Sequence, residues 1–450
     1  MIEAGDIVAH PRFGPGRVAE TRFSGYDAKV DFGGYCIWVP ASRLSLVERP
    51  RKTGGSQQAG SMVRRPESVD LVGKTVLESF RLGIVPDAGI REWTVGRDAE
   101  LETVAQWLGN PAEGSLVVEG QYGSGKTHML RYLSQVALER SFAVAMVRID
   151  PAEENSSFPF RFYASVMRAL VVPVQGALAD ARTAFRETVL ARESTVVDDH
   201  PFLGPLCAAI RKGRDSEDDW LGFMGERTGS RYFPSGLDFT TVANLACNLL
   251  SALSRFMVDD LKLAGMLILV DEAETAEVRR YSYHWRRTLN FLRGLTMVAN
   301  DDPELDEPLV RNDFNLRIGR NTRLVYSGHY PDVRYYHKLP TFLKVVLALT
   351  ECQVVGRLRE WSQTQPRIAL GELDRAVLAN LFSRVAGAYG TLYDVRVPRH
   401  LERWVLYHLL HDAYGYGNIR GFMKALLEVM DFVRHHPGRP VDELEKLRRF

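Results

Sequence analysis

A glycine-rich segment directly after an apolar run is the feature that most restricts how this chain can fold. Residues 115–127 read Ser-Leu-Val-Val-Glu-Gly-Gln-Tyr-Gly-Ser-Gly-Lys-Thr, which ends in the pattern Gly-x-x-x-x-Gly-Lys-Thr. Residues 128–140 then carry apolar side chains at helical spacing. A buried strand, a glycine turn and a helix in this order predict a phosphate-binding loop (Walker A) within an α/β fold, because glycines let backbone amides turn toward an anion at the helix start.

The pattern gives each polar residue of the loop an expected role. Lys126 is expected to reach the β- and γ-phosphates of a nucleoside triphosphate, and the Thr127 hydroxyl is expected to ligate Mg²⁺. The sequence therefore predicts ATP and Mg²⁺ as cofactors. The loop residues predicted to surround the nucleotide are Gly120, Gln121, Tyr122, Gly123, Ser124, Gly125, Lys126, Thr127 and His128.

A second apolar run ends in two adjacent acids. Residues 267–270 are Leu-Ile-Leu-Val, and Asp271 and Glu272 follow them. A buried parallel strand would carry Asp271 to the carboxyl edge of the sheet, where it can hold Mg²⁺ with Thr127. Glu272 is then expected to accept a proton from, or to orient, the water that attacks the γ-phosphate. Lys126, Asp271 and Glu272 are therefore the predicted catalytic residues; the alternative for the two acids is a solvated strand end.

Length and charge limit the class of protein. A chain of 450 residues predicts two to four domains. The net charge of +1 gives no global attraction to nucleic acid or membrane, so such a contact needs a local patch. The four cysteines form no C-x-x-C pair, which predicts neither a zinc site nor a disulfide framework. The start of the sequence does not resemble a secretory signal, and no apolar run approaches the roughly 20 residues of a membrane helix. We expect a cytoplasmic protein that does not contact membrane.

Changes of pattern along the chain predict four segments. Residues 1–48 alternate short β-type runs with glycine turns and predict a small β-barrel, and residues 49–68 predict a polar linker. Residues 69–370 predict the α/β core, with a mostly helical insertion at about 154–262, and residues 371–450 predict a helical lid. The strands predicted for the core are those at 115–119, 142–149, 266–270 and 324–326.

Three further segments resemble parts of AAA+ ATPases. Residues 95–101 (Val-Gly-Arg-Asp-Ala-Glu-Leu) resemble the segment that precedes the phosphate-binding loop in the initiator and STAND-like clades and packs near the adenine, which implies nucleotide contact for Arg97. Residues 324–329 (Leu-Val-Tyr-Ser-Gly-His) resemble the sensor-1 strand, with the choice between Ser327 and His329 left open. Residues 417–421 (Gly-Asn-Ile-Arg-Gly) are similar to the sensor-2 motif of the lid, in which Arg420 would reach a phosphate across the cleft.

Each of these segments has a plainer reading. Arg97 also suits a helix N-terminus, Ser327 and His329 suit satisfied polar groups at a strand end, and Arg420 suits an ordinary surface position. The mixture of cations and aromatic residues at 279–287 suits nucleic acid, although core aromatics with inter-subunit arginines are favoured. The arginine finger of an AAA+ oligomer stays open among Arg317, Arg320, Arg323 and Arg334.

Six stretches of the chain carry one further resemblance. They are 78–86 (Glu-Ser-Phe-Arg-Leu-Gly-Ile-Val-Pro), 94–97, 119–128, 271–274 (Asp-Glu-Ala-Glu), 290–293 and 370–374. These stretches resemble the ATP-binding proteins of BREX phage-defence systems (the BrxC/BrxD type), and the resemblance spans about residues 65–450. It implies an AAA+-like ATPase in an anti-phage operon, beside a helicase, a methyltransferase or a nuclease, and relatives of this class often form homo-oligomers. In one departure, Ser-Gly-His-Tyr-Pro stands at 327–331 where Ala-Gly-Thr-Pro-Glu is expected.

The N-terminal segment resembles a different family. Residues 5–10 (Gly-Asp-Ile-Val-Ala-His) and 13–18 (Phe-Gly-Pro-Gly-Arg-Val) are similar to the Tudor or SH3-like domains of CarD-type regulators and UvrD-type helicases. Such domains grip RNA polymerase or another protein, which implies a tethering role for residues 1–48. Tyr35 and Trp38 suit either a docking face or, preferably, the core of the barrel.

The sequence as a whole predicts an ATP-hydrolysing AAA+ switch or motor in anti-phage defence, acting on DNA or with a helicase or nuclease partner. Two alternatives stay open. One is a scaffold or clamp that binds nucleotide with negligible turnover, and the other is a CarD-like regulator linked to transcription.

Overall fold

A computed structural model describes most of the chain, in two compact units, Met1–Ser68 and Val69–Phe450. The predicted linker at 49–68 lies outside the described residues, as do Tyr35, residues 279–281 of the basic stretch, and Gly417 and Asn418 of the lid motif. The segment 371–450 falls in the same unit as the α/β core. The described residues are 5–10, 14–22, 27–31, 36–40, 44–48, 71–86, 88–149, 157–226, 229–233, 242–274, 282–351, 356–357, 360, 365–398, 400–411, 419–441 and 443.

The first unit contains an antiparallel five-stranded sheet with the order β4-β3-β2-β1-β5. Val8, Val18, Ala28 and Val30 form its small core because alternate residues of paired strands share one face. The predicted small N-terminal β domain is thereby confirmed. Its strands are β1 (Ile7–His10), β2 (Gly14–Arg22), β3 (Asp27–Asp31), β4 (Cys36–Pro40) and β5 (Ser45–Glu48).

The second unit alternates helices with strands. In the described residues its helices include α1 (Leu71–Leu82), α2 (Asp98–Gly109), α3 (Lys126–Glu139), α4 (Pro159–Ala169), α5 (Ala181–Leu190), α6 (Leu203–Arg211), α7 (Glu217–Phe223), α8 (Ala243–Asp259), α9 (Ser282–Ala299), α10 (Arg375–Tyr393), α11 (His400–His411) and α12 (Ile419–His435). Its strands include β6 (Ser115–Gly120), β7 (Phe142–Arg148), β8 (Val171–Val174), β9 (Ala177–Asp180), β10 (Gly265–Asp271), β11 (Leu309–Arg311), β12 (Arg317–Gly319), β13 (Leu343–Leu349) and β14 (Arg367–Leu370).

A seven-stranded sheet organises this unit, with the order β14-β6-β13-β10-β7-β8-β9. The first five of these strands are parallel to their neighbours, and the β8–β9 hairpin extends the sheet in antiparallel sense. Because parallel strands end at the same edge, the residues that follow β6, β10 and β13 converge there. The predicted α/β architecture, a parallel sheet flanked by helices, is confirmed.

Both faces of the sheet are covered, which explains why its strands are continuously apolar. Leu116, Val118 and Leu267 pack in one core with α2 and α3. Val117 and Ile268 point to the opposite face and share a core with α4 and α8. The region predicted as a mostly helical insertion contains α4 to α8, and the β8–β9 hairpin is an addition to that prediction.

The fourth parallel strand corrects the sequence prediction. Residues 324–326 lie outside the sheet, and Val325 forms only an isolated bridge with Ile318 of β12. The strand between β6 and β10 is instead β13, whose seven residues are all buried. A charged residue, Lys344, interrupts the apolar pattern of this strand, and hydropathy alone therefore does not predict a buried strand at 343–349.

Lys344 is buried because it caps a helix. Its ammonium group donates to the carbonyl oxygens of Trp107 at 3.0 Å, Asn110 at 2.8 Å and Glu113 at 2.8 Å, at and just beyond the C-terminal end of α2. The ammonium also lies 4.6 Å from the centroid of the Trp107 ring. Burial lowers the pKa of Lys344 to about 8. A cation at a helix C-terminus satisfies carbonyls that lack helical partners.

We expect Lys344→Met to lower the free energy of unfolding by about 2–4 kcal/mol, because one buried and two partly buried carbonyls lose a charged donor while the side-chain length is kept. Chemical denaturation measures the change. The matched control is Lys212→Met at an exposed lysine, with an expected change within about 0.5 kcal/mol. Equal stability of both variants would contradict the capping role.

The helical lid includes an element from the start of the unit. α1 packs with α10, α11 and α12 in one apolar core, which contains Leu77, Phe382 and Leu426. Arg81 on α1 donates to both carboxylate oxygens of Asp431 on α12, at 3.0 and 2.9 Å. The sequence predicts a lid of residues 371–450 only, without α1.

Within the described residues, no helix is both long and apolar enough to cross a membrane.

Candidate nucleotide-binding site

The loop between β6 and α3 has the backbone that the glycine pattern predicts. Gly123 and Gly125 have φ angles of +80° and +103°, in the region that side chains with a Cβ avoid. A Cβ at Gly120 would lie 2.4 Å from Ser124 Oγ. The loop therefore needs glycine at these positions to bring its amides together at the start of α3.

Lys126 lies inside the loop with 8% of its surface exposed. Its Nζ donates to the carbonyl oxygens of Gly120 at 2.7 Å and Gln121 at 3.2 Å, and to the Thr350 hydroxyl at 3.1 Å. Burial lowers the pKa of Lys126, while the carboxylates of Glu274, Asp271 and Glu272 raise it. The ammonium group is thus held at the end of the strands, among three acids.

Thr127 and Asp271 meet at the same edge. The Thr127 hydroxyl donates to Asp271 Oδ2 at 2.7 Å, and Asp271 is 5% exposed at the end of β10. Burial raises the pKa of Asp271, and the hydrogen bonds from the Thr127 hydroxyl and the Glu272 amide oppose this. The structure therefore brings together two oxygen-bearing side chains from the loop and the second predicted strand end.

Glu272 is held by a residue that the sequence analysis did not identify. Arg148, the last residue of β7, donates to both Glu272 carboxylate oxygens, each at 2.7 Å. Arg148 is also the register partner of Asp271 across the parallel strands β7 and β10. Glu272 has a φ of +53°, so its backbone is in the left-handed region. The signal for Arg148 in the sequence is its position at the end of the strand at 142–149.

Thr350 is the polar residue at the end of the true fourth strand. It follows β13, accepts from Lys126 and donates to Glu274 Oε1 at 2.7 Å. The sequence predicts Ser327 or His329 in this position. Because 324–326 is not a strand of the sheet, Ser327 lies elsewhere: its amide donates to Asn244 Oδ1 on α8 at 3.0 Å. Its hydroxyl accepts from the His329 amide at 3.2 Å.

Arg97 connects the loop to the chain that follows β14. Its guanidinium donates to the Ser124 carbonyl at 3.3 Å, to the Gly371 carbonyl at 2.6 Å and to Glu100 Oε1 at 3.0 Å. The preceding Gly96 has a φ of +63°, and a Cβ there would lie 2.5 Å from Val377 Cγ1 on α10. The segment therefore joins the loop to the helical lid.

The other predicted arginine, Arg420, also contacts the loop. Arg420, in the first turn of α12, donates to the Tyr122 hydroxyl, and its guanidinium carbon is 5.1 Å from the centroid of that ring. Tyr122 is 68% exposed. The structure thus brings Arg97, Arg420 and the loop to one cleft between the sheet edge and the lid.

One wall of this cleft is apolar. Phe80 and Trp93 pack edge to face, with ring centroids 5.0 Å apart. A wall of this kind suits a planar base. The other apolar residues that line it include Ile84, Val85, Ile419 and Met423.

His128 supports this wall from the loop helix. Its Nε2 lies 2.7 Å from the Thr94 hydroxyl, which itself donates to the Ile90 carbonyl at 2.7 Å. Because Thr94 has given its proton to Ile90, the His128 Nε2 must carry a hydrogen and donate it. Burial lowers the pKa of His128 to about 4, and the Arg97 charge acts in the same direction.

The depressed pKa of His128 predicts sensitivity to acid. The unfolded chain binds a proton at a pKa of 6.5, whereas the folded chain does so only near 4, so stability is complete above pH 6.5 and falls as the pH drops toward 4. We expect the melting temperature of His128→Gln to fall less over this window than that of the unaltered protein. Parallel melting curves of the two proteins measure it, and identical slopes would contradict the burial of a neutral His128.

The donors at the cleft fit a nucleotide with its metal. Ser124 Oγ, within the loop, is buried and has no hydrogen-bond partner in the described part of the chain. Among all the residues that the structure describes, no cluster of three or more His, Cys, Asp or Glu side chains could hold a metal ion by itself. Thr127 and Asp271 offer two oxygen ligands, and Mg²⁺ takes its remaining ligands from phosphate and water in sites of this kind.

Comparison with known families agrees with the resemblance seen in the sequence. Residues 71–180 match the profile of a family described as BREX system ATP-binding protein BrxC/D. The predicted resemblance to this family is confirmed over that segment, which contains the loop and Arg97. No curated protein matches the chain significantly.

Solved structures resemble the chain only weakly. Domain III of the replication initiation protein DnaA from Thermotoga maritima is 10% identical, with a TM-score of 0.32, over 78% of this chain and 90% of that chain. The E. coli MS115-1 HORMA:CdnC:Trip13 complex is 12% identical, with a TM-score of 0.36, over 79% and 87%. Drosophila ORC bound to DNA is 13% identical, with a TM-score of 0.36, over 81% and 68%.

Proposed function

We propose that this chain binds MgATP in the cleft and hydrolyses it, as the ATP-driven component of an anti-phage defence system. The observation that carries the proposal is the 2.7 Å hydrogen bond between the Thr127 hydroxyl and Asp271 Oδ2, beside the buried Lys126 ammonium. It brings a hydroxyl and a cation of the loop together with a strand-end acid that lies 144 residues later in the sequence. The family match over residues 71–180 supports the same ligand.

Different residues of the cleft would bind the phosphates, the Mg²⁺ ion and the base of MgATP. Loop amides and Lys126 would hold the phosphates, Thr127 and Asp271 would hold Mg²⁺, and the Phe80–Trp93 wall would take the base. Bound Mg²⁺ would neutralise part of the phosphate charge. Lys126 is already fixed by two carbonyls and by Thr350, so little order is lost when its ammonium group turns to a phosphate.

Glu272 is the proposed general base, and its ion pair with Arg148 would control whether its carboxylate can reach the attacking water. A carboxylate whose two oxygens both accept from a guanidinium has fewer lone pairs left to orient an attacking water. Turnover therefore requires Glu272 to turn at least one oxygen away from Arg148 toward water. Arg148 and Glu272, at the ends of the neighbouring strands β7 and β10, would thus act as a switch: turnover is off while they are paired and on when they separate.

We propose Thr350 as the residue that contacts the γ-phosphate, in place of Ser327 or His329. Thr350→Val is expected to lower ATPase kcat by about 10-fold or more, since a hydroxyl beside Lys126 is lost. Ser327→Ala is the matched control, because its hydroxyl serves only local amides among the described contacts. Steady-state kinetics of both variants decide the assignment: a loss in Ser327→Ala alone would reverse it.

One observation favours a second candidate function, a nucleotide-gated scaffold with negligible turnover. Arg148 occupies both oxygens of Glu272, an arrangement suited to holding ATP without cleaving it. The two functions separate in one experiment on the full chain. Equilibrium binding of ATP and ADP with and without Mg²⁺ is measured beside phosphate release, each with and without duplex DNA and the proteins of the same operon. Tight Mg²⁺-dependent binding with turnover supports the ATPase, tight binding without turnover supports the scaffold, and no binding overturns both.

Partners are part of the same proposal. Membership of a defence operon would place a helicase, a methyltransferase or a nuclease beside this chain, and homo-oligomerisation would bring an arginine finger to each cleft. The N-terminal sheet is the proposed tether to RNA polymerase or another protein. A pull-down with the full chain and with a chain lacking residues 1–48 tests the tether.

A further inference from the structure

A rigid turn with outward-facing arginines follows the β11–β12 hairpin. We call residues 319–323 the arginine turn. The buried Glu307 carboxylate anchors it by accepting from the Thr322 amide at 3.0 Å, from the Thr322 hydroxyl and from the Asn321 amide. A Cβ at Gly319 would lie 1.9 Å from Glu307 Oε1, so the turn depends on glycine there. The anchored turn fixes the backbone from which Arg320 and Arg323 project.

Among the described residues, no hydrogen bond or ion pair gives the Arg320 and Arg323 side chains a role in stabilising the fold. Both are exposed, and neither guanidinium has a hydrogen bond or an ion pair within the described part of the chain. Arg323 has a φ of +58°, a conformation that a residue with a Cβ adopts only when its surroundings impose it. The turn therefore presents two free cations on a backbone that is already ordered.

The hairpin tip presents an aromatic side chain in the same way. Phe314 is 81% exposed, the largest exposed fraction among the large hydrophobic residues described. Asn312 fixes the tip, because its Oδ1 accepts from the Phe314 amide at 3.0 Å and from the Leu316 amide at 2.9 Å. Because the Phe314 ring stays exposed to solvent, it contributes no free energy of apolar burial to folding.

Charge in this region has one dominant sign. Residues 307–334, which include the anchoring Glu307, contain five arginines, two aspartates and one glutamate, a net charge of +2, whereas the whole chain carries +1. Asp332 pairs with Arg317, and Asp313 is exposed at the tip. Arg311 and Arg317 are register partners across the hairpin, although like charges placed opposite each other are unfavourable. The local excess of cations is the patch that a near-neutral chain needs to hold a polyanion.

We propose that the β11–β12 hairpin and the arginine turn bind single-stranded nucleic acid. Arg320 and Arg323 take backbone phosphates, and Phe314 stacks on an unpaired base. Duplex is disfavoured because its bases are stacked on each other and offer no face to a single ring on a narrow turn. A protein partner would need a pocket for Phe314 beside anions for the arginines. The proposal is independent of the nucleotide-binding cleft.

The test measures the binding of a fluorescein-labelled oligothymidylate of about 20 nucleotides to the full chain by anisotropy, over a series of salt concentrations. Phe314→Ala is expected to weaken binding by about 5- to 100-fold with an unchanged salt slope, because one base stack is lost. The double variant R320A/R323A is expected to weaken binding and to lower the magnitude of the slope by about 1.4, for two phosphate contacts. F314W, which can still stack, should restore affinity and show quenching of its fluorescence on binding.

Matched controls separate this surface from general charge and exposure. Leu178→Ala changes another exposed apolar residue at a hairpin, and K212A/R214A removes two exposed cations from the insertion. Both should bind like the unaltered protein, and every variant is checked by thermal melting. Unchanged oligonucleotide affinity in Phe314→Ala and R320A/R323A overturns the proposal. So does a pattern in which R320A/R323A alters only self-association or ATPase rate, which would assign these arginines to a neighbouring subunit. Loss of ATP binding in Lys126→Ala leaves the prediction for oligonucleotide binding without ATP unchanged.

Discussion

Lys126→Ala is expected to weaken MgATP binding by about 100-fold or more. The ammonium group is buried and preorganised beside the loop, and a charged hydrogen bond to phosphate in such a place contributes about 1.5–3 kcal/mol, with more than one contact formed. Isothermal titration or a fluorescent ATP analogue measures the affinity. If the ATPase drives defence, phage protection should disappear with it.

The control for this variant addresses folding as well as charge. Lys126→Ala also removes the donor of the Gly120 and Gln121 carbonyls, so its melting temperature must be compared with that of the unaltered protein. Lys212→Ala removes an exposed lysine on the insertion and should leave affinity unchanged. A folded Lys126→Ala protein that binds MgATP normally would overturn the proposed cleft, and one that loses binding yet still protects would make ATP incidental to defence.

The sequence predicts the parts of the site that local patterns determine. A phosphate-binding loop is specified within thirteen consecutive residues, and its two left-handed glycines follow from the spacing alone. The acid at the end of β10 is equally local, since an apolar run followed by Asp271 fixes the strand end. These predictions need no knowledge of distant residues.

The predictions that miss depend on partners far away in the chain. β13 was overlooked because Lys344 is charged, and its charge makes sense only beside the end of α2, more than two hundred residues earlier. The helix α1 belongs with the lid because Arg81 meets Asp431 across 350 residues. Hydropathy and spacing along the chain carry no signal for such pairs.

The misplaced sensor follows from the misplaced strand. A fourth strand at 324–326 would make Ser327 and His329 the polar residues at its end. In the fold, this segment is held to α8 by Asn244, which binds the Tyr330 and Val333 carbonyls as well as the Ser327 amide. The apolar run at 345–349, which follows Lys344 and is longer than the run at 324–326, is the signal in the sequence that points to Thr350.

Glu272→Gln is expected to lower ATPase kcat by about 100- to 1,000-fold while ATP affinity changes little, because an amide cannot accept the proton of the attacking water. The matched variant is Glu274→Gln, two residues away. Glu274 accepts from the Thr350 hydroxyl, and an amide oxygen can still accept that bond, so kcat should stay within about 5-fold of the unaltered protein. Steady-state kinetics and ATP binding on both variants measure the split between kcat and affinity.

The two glutamates differ in what already holds them, and this difference makes the comparison decisive. Glu272 is gripped at both oxygens by Arg148, whereas Glu274 Oε2 is buried without a hydrogen-bond partner among the described residues. If Glu274→Gln loses turnover and Glu272→Gln keeps it, the acid that bonds Thr350 is the base and Glu272 is a structural partner of Arg148. If both keep turnover, hydrolysis does not use this strand end. Loss in Glu272→Gln alone, with ATP still bound, is the result that the geometry of β7 and β10 predicts.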